Sequence, residues 1–235
     1  MRSVAIHQPC YIPYLGFFYK LWKADVFVFL DDAQYTNNGW IDYNNIKVSS
    51  GASCRLRIPI RKNFGQRILD TSINNNVSWK EKHLETIRCN YVRAPFFKQV
   101  FSDYGDIVNS ERENLADLNE SLILMLTDRL GWNMRFLKSS KLEVHGKKQD
   151  RVIDIVSSIG GTRYISGIGA KAYQNESAFI QKGIQLEYAG IPAVSYPQLW
   201  GDFVPNLSII DACMNIGYEG TARMIEGMDR DEHKC

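Results

Sequence analysis

The chain has no apolar run of membrane length: no segment approaches the ~18–20 residues that a spanning helix requires. It also lacks a long apolar stretch near its start. Met1-Arg2-Ser3 leads into Val4-Ala5-Ile6, and His7-Gln8-Pro9 ends that run, so neither a secretory leader nor a membrane span is expected and the chain reads as cytoplasmic. The five cysteines form no CxxC pair and are odd in number, which argues against a disulfide framework or structural zinc and for free thiols, mostly buried. A basic stripe is missing too. The net charge is +2 and the cations are spread along the chain, so binding to a nucleic-acid backbone is not expected. No internal repeat, no Walker A motif and no GxGxxG motif is present.

What is present is enough apolar residue, 45% of 235, to bury one sizeable core. The reading is a single α/β domain over 1–235, with a helical subregion at 78–130 and a charged tail at 228–235 expected to fray. Val4-Ala5-Ile6 reads as a buried strand, residues 14–23 as a short aromatic helix, and Val26 to Leu30 as a strand buried on both faces. Together they form a βαβ unit. Two short segments near 46–48 and 56–60 suggest a hairpin around Ser49-Ser50-Gly51. Ser78 with Glu81 looks like a capping box for a helix over 78–92; a second long helix is expected over 111–130, stopped by Gly131. A strand at 134–137, a helix over 150–159, a strand at 164–165, a helix near 170–181, a strand over 184–188 and a helix over 208–215 complete a Rossmann-like, mostly parallel sheet flanked by helices, with a small β-hairpin and helical insertion.

In open α/β sheets ligands bind at the carboxyl ends of the strands. His7-Gln8 and Asp31-Asp32 both fall at such ends. His7 supplies a candidate general base, Gln8 a donor for an oxyanion and Asp32 a carboxylate, so these three are the candidate catalytic residues. Pro9 and Pro13 stiffen the loop after His7, Gly16 permits close backbone approach, and Lys20 could meet an anion near the helix start. Tyr11, Gly16, Lys20, Asp31, Gln34, Trp40 and Asn44 are candidate substrate-binding residues of the amino-terminal half. Ser166, Gly167 and Tyr173, around a small-residue turn, and Asn206 and Ser208, after Pro205, are those of the carboxyl-terminal half. His83 and the aromatic set Tyr91, Phe96 and Phe97 read as packing residues, and Cys10 as a minor candidate nucleophile.

Five stretches carry a family resemblance: AIHQPCYIPYLGFFYKLWKADVFVFLDDAQY at 5–35, YVRAPFF at 91–97, DLNESLI at 117–123, RYISGIGAKAY at 163–173 and FVPNLSIIDACMNIG at 203–217. In this order they resemble the WbqC-like family. The chain departs from the family pattern at Tyr14, where tryptophan is usual, and at Tyr43, where an arginine usually precedes Asn44. The resemblance implies a place among O-antigen and capsule genes. It also implies transfer of an acyl or aminoacyl group, such as glycine or alanine, to the amine of a deoxy-amino sugar linked to dTDP or UDP. A weaker likeness is to the opening of nucleotidylyltransferase folds, whose His-x-Gly-His element would fall on Tyr14-Leu15-Gly16-Phe17, with neither histidine. A nucleotidyltransferase or ATP-dependent amide ligase, using ATP and Mg2+, is the alternative. A non-catalytic sugar-nucleotide-binding subunit is the third reading. Beyond ATP and Mg2+ under that alternative, no cofactor and no metal site is expected.

Overall fold

The computed structural model describes residues 1–190, 192 and 194–232. Its centre is a five-stranded parallel sheet flanked by seven helices, an α/β fold, with a separate antiparallel hairpin. The sheet strands are β1 (Ser3–His7), β2 (Val26–Phe29), β5 (Arg135–Lys138), β6 (Arg163–Gly167) and β7 (Gln185–Ala189), in the order β5-β2-β1-β6-β7. The chain builds outward from β1 to β2 and β5, then crosses to β6 and β7 on the other side. The order therefore reverses between β1 and β6, the topological switch point of a Rossmann-like sheet.

Strand parity explains the two cores. Successive side chains leave a strand on opposite faces. Ala5, Phe27 and Phe29 face one layer, formed by α1 (Leu15–Trp22), α4 (Leu115–Arg129) and α7 (Ile209–Glu232) among others. Val4, Ile6, Val26 and Val28 face the other, against Ile153 and Val156 of α5 (Lys148–Ser158) and Phe179 of α6 (Glu176–Gln181). Both faces are covered, which is why β1 and β2 read as unbroken apolar runs. His7 shares the parity of Ala5, and its ring meets Phe17 of α1 edge-on at 5.0 Å.

The hairpin is formed by β3 (Tyr43–Lys47) and β4 (Ser53–Arg57), a few residues earlier at each strand than the sequence suggests. The helical layer comprises α2 (Trp79–Tyr91), α3 (Phe97–Asn109) and α4. Ser78 makes no side-chain capping bond, so the expected capping box is not formed. Asn114, not a residue near 111, caps α4 by accepting from Ala116 N at 2.8 Å. The whole of α3 is additional to the expected elements. The final helix is longer than 208–215: it continues to Glu232, turning at Gly217, whose φ of 75° favours glycine and where a Cβ would lie 2.9 Å from the Phe96 ring. Residues 228–232 of the expected tail continue this helix; residues 233–235 lie outside the described residues. No helix among the described residues is long and apolar enough to cross a membrane. Of the cysteines, Cys10 and Cys213 are buried and free, Cys54 is half-buried and Cys89 exposed; Cys235 lies outside the described residues.

Candidate functional site

At the carboxyl end of β1 the chain opens a cavity of about 560 Å³. His7, Gln8, Cys10, Pro13, Tyr14 and Phe17 supply one side; Gly39, Trp40, Asn44 and Asn206 supply the other. Five of the residues expected from sequence therefore meet here: His7, Gln8, Trp40, Asn44 and Asn206. They arrive from three separate regions of the chain.

The loop after β1 is held from behind by buried amides. Asn119 Nδ2, on α4, donates to Pro9 O at 2.9 Å and Ile41 O at 2.7 Å. Asn44 Nδ2 donates to Ile12 O at 2.8 Å and Tyr11 O at 3.3 Å. Tyr11 is sealed behind the loop, where its hydroxyl joins His83 Nδ1 at 2.9 Å and the Tyr104 hydroxyl. The reward is a strained rim. Among the described residues five non-glycine residues have positive φ; Trp40 (61°) and Asn206 (58°) line the cavity and Ile12 (34°) lies in its loop. Such conformations cost about 1–3 kcal/mol each and persist where surrounding contacts over-determine them, a pattern common at binding sites.

His7 Nδ1 lies 3.0 Å from Gln8 O, a group that only accepts, so Nδ1 carries the proton and Nε2 holds the lone pair. The residue is half-buried by surface area, yet its ring sits deep among protein atoms. Burial first, and the neighbouring Lys20 second, push its pKa down to about 3, against the hydrogen bond to Gln8 O. The imidazole is neutral at physiological pH. Cys10 Sγ lies 3.8 Å from Nδ1, the protonated nitrogen, and burial pushes the thiol up to about 12. A thiol held protonated beside a nitrogen without a lone pair is a poor nucleophile. Lys20 is buried and donates to Ile6 O at 3.0 Å; burial pulls its pKa down to about 7. It stands behind β1 and does not line the cavity, as an anion contact would have required.

The other expected residues lie elsewhere. Gly16 is buried within α1. Asp31 accepts from Ser139 Oγ at 3.1 Å, Ser140 N at 3.0 Å and Ser140 Oγ at 2.5 Å. Asp32 accepts from Ser139 Oγ at 2.6 Å and pairs with Arg151. Both carboxylates thus tie the end of β2 to the end of β5, and neither lines the cavity. Gln34 is exposed and bridges to Arg67 through its backbone. Ser166 Oγ donates to Gln174 Oε1 at 3.0 Å, Gly167 ends β6 with open space beside it, and Tyr173 is exposed. Ser208 is buried, with its N–H donating to Asn45 O at 2.8 Å.

Sequence reasoning missed Tyr14, Phe17, Gly39 and Pro13 as wall residues, and Asn119 as a clamp. Gly39 had a signal, since it follows Asn37-Asn38 and precedes Trp40 as a turn would. Asn119 lies in the DLNESLI stretch that carries the resemblance, but an asparagine inside a helix bears no mark of its distant partners. At Tyr43, the guanidinium groups of Arg55 and Arg57 lie 4.3 and 4.6 Å from the ring centroid, so cationic charge reaches this position from the neighbouring strand.

Comparison with known proteins agrees with this architecture in one respect and is silent in another. Residues 8–223 match the WbqC-like protein family. A Mycobacterium tuberculosis (strain ATCC 25618 / H37Rv) chain, "Uncharacterized protein Rv1507c", is 32% identical over 224 residues, covering 93% of this chain and 96% of its own length. No solved structure matches. A match across nearly the whole chain, in which the cavity loop, the Asn119 clamp and Asn206 are all included, leads to one conclusion: this chain belongs to the WbqC-like protein family.

Proposed function

We propose that the chain is an N-acyl or aminoacyl transferase that modifies the amine of a nucleotide-linked deoxy-amino sugar. The observation that carries the reading is the placement of His7: Gln8 O holds the Nδ1 proton and leaves Nε2 with its lone pair, at a sheet switch point, on the wall of a cavity of small-molecule size. The sugar amine attacks an activated carbonyl. His7 Nε2 accepts the proton that the amine loses as the C–N bond forms, and the leaving group departs with the electron pair of the broken acyl bond. The amides of Gln8 and Asn206 are the polar lining groups available to the developing oxyanion or the sugar hydroxyls, while the Asn44 amide is spent on holding Tyr11 O and Ile12 O. Family membership supports the substrate class, in the sense that the resemblance given above carries it. A nucleotide-handling enzyme remains the second reading, favoured by the Rossmann-like strand order alone.

The test is His7→Ala assayed with a dTDP- or UDP-linked amino sugar and an acyl or aminoacyl donor. Turnover should fall by about 10²–10⁴, the usual contribution of a general base, with the melting temperature little changed. A variant as active as the parent would remove His7 from the reaction. Stabilisation of the native protein by ATP together with pyrophosphate release, and none by nucleotide sugars, would favour the second reading.

A further inference from the structure

An aromatic strip leads out of the cavity and ends on a cation. Tyr14 and Trp40, both lining residues, are 6.3 Å apart between centroids and tilted by 47°, which leaves a wedge between them. Trp40 stacks on Tyr43 at 5.6 Å and 24°. Arg55 and Arg57, two residues apart on β4 and so on one face of the hairpin, cover Tyr43. Arg57 has a carboxylate partner, Asp42, at 3.5 Å. Among the described residues Arg55 has no ion pair, and it is exposed. Tyr43 is buried beneath this stack, and neither it nor the two arginines line the cavity; outward from the lining residues His7, Tyr14 and Trp40, the next cation is the exposed Arg55.

We infer that this strip sets the direction in which a sugar nucleotide lies: amine at His7, pyranose ring in the Tyr14–Trp40 wedge, diphosphate on Arg55, nucleoside beyond the hairpin. The assignment rests on the proposed function for the class of ligand and for its amine end; the strip supplies the direction. A deoxy-sugar presents an apolar ring face, which suits aromatic walls. A diphosphate suits a guanidinium, which offers several donors in one plane and keeps its charge at all working pH values. The order of groups along the ligand matches the order of groups along the strip; placing the nucleobase in the wedge would put the diphosphate on the wrong side of it. The consequence is specificity. The enzyme reads the sugar and the diphosphate, and discriminates little between thymine and uracil.

Isothermal titration of the full-length protein with dTDP and with UDP tests this without requiring turnover. Both should bind, within a few-fold of each other, and Arg55→Glu should weaken both by about 10- to 100-fold, with Arg55→Lys recovering part of the loss. Trp40→Ala should weaken binding of UDP-glucosamine more than binding of UDP. Unchanged affinity in Arg55→Glu with an unchanged melting temperature overturns the assignment, as does a preference above tenfold for one base, or no binding of either diphosphate. The two readings separate cleanly. Arg55-dependent binding without acyl transfer leaves the subsite standing and removes the transferase; transfer that ignores Arg55→Glu does the reverse.

Discussion

Two neighbouring strand ends in one sheet have opposite fates. β1 and β2 lie side by side in parallel, and each ends in polar residues. At the end of β2, the carboxylates of Asp31 and Asp32 are taken up by Ser139, Ser140 and Arg151. At the end of β1, His7 and Gln8 open onto a cavity, over a buried Lys20 whose recorded partner is one carbonyl. The first arrangement satisfies its polar groups and stabilises the fold. The second leaves polar capacity facing open space and accepts a strained rim. Polar residues at a strand end are therefore not by themselves a site; what separates the two is whether the partners are already present in the chain.

The comparison is most sharply broken by Asp31→Ala. If the β2 end is structural, removing a buried carboxylate that accepts three bonds should cost about 3 kcal/mol in urea denaturation, because Ser139 and Ser140 lose their acceptor. An Asp31→Ala protein of normal stability that had lost activity would instead make both ends functional.

Acid should act through the β1 end. The imidazoles of His7 and His83 are neutral in the folded chain, with pKa values lowered by burial to about 3 and about 4, and titrate near 6.5 when unfolded. The unfolded state then binds more protons below pH 6.5, so their contribution is complete above 6.5 and is lost progressively as pH falls toward 3 and 4. Between pH 6.5 and about pH 5 the His7 part amounts to about 1–2 kcal/mol, allowing for water at the cavity edge. His7→Gln should flatten the melting-temperature profile over that range by this amount. A profile that stays as steep would mean that His7 is charged in the folded protein.

Lys20→Met should have the smallest effect and the most telling sign. Replacing a buried cation that has no carboxylate partner among the described residues with an apolar side chain of similar length should raise stability at pH 7 by about 1 kcal/mol. The same change should raise the pKa of His7, measured by imidazole NMR titration, since one of its two lowering causes is removed. A loss of stability would place Lys20 with the structural end of the comparison.

Much of the fold can be read from the chain. Val26-Phe27-Val28-Phe29 announces a strand buried on both sides, and Val4-Ala5-Ile6 does so less loudly; the switch from strand to aromatic helix to strand fixes the opening unit. Helix α3 was present as a pattern, with Phe97, Val100, Tyr104 and Val108 three or four residues apart, but Ser102, Asp103, Gly105 and Asp106 among them dilute the apolar period. At the site, His7 and Gln8 were legible because a strand terminus gives them a place. Trp40, Asn44 and Asn206 were legible as residue types only.

The sequence by itself determined the family, the alternation that turns His7 toward Phe17, and the parallel strands that bring polar residues to one edge of the sheet. These depend on local periodicity and on burial, which short stretches of chain encode. The tertiary structure alone decided that His7 faces a cavity while Asp31 meets Ser139, 108 residues away, and that Asn119 holds Pro9 from 110 residues away. Whether a polar side chain is satisfied or left open depends on partners brought close by packing, and no spacing along the chain records their arrival.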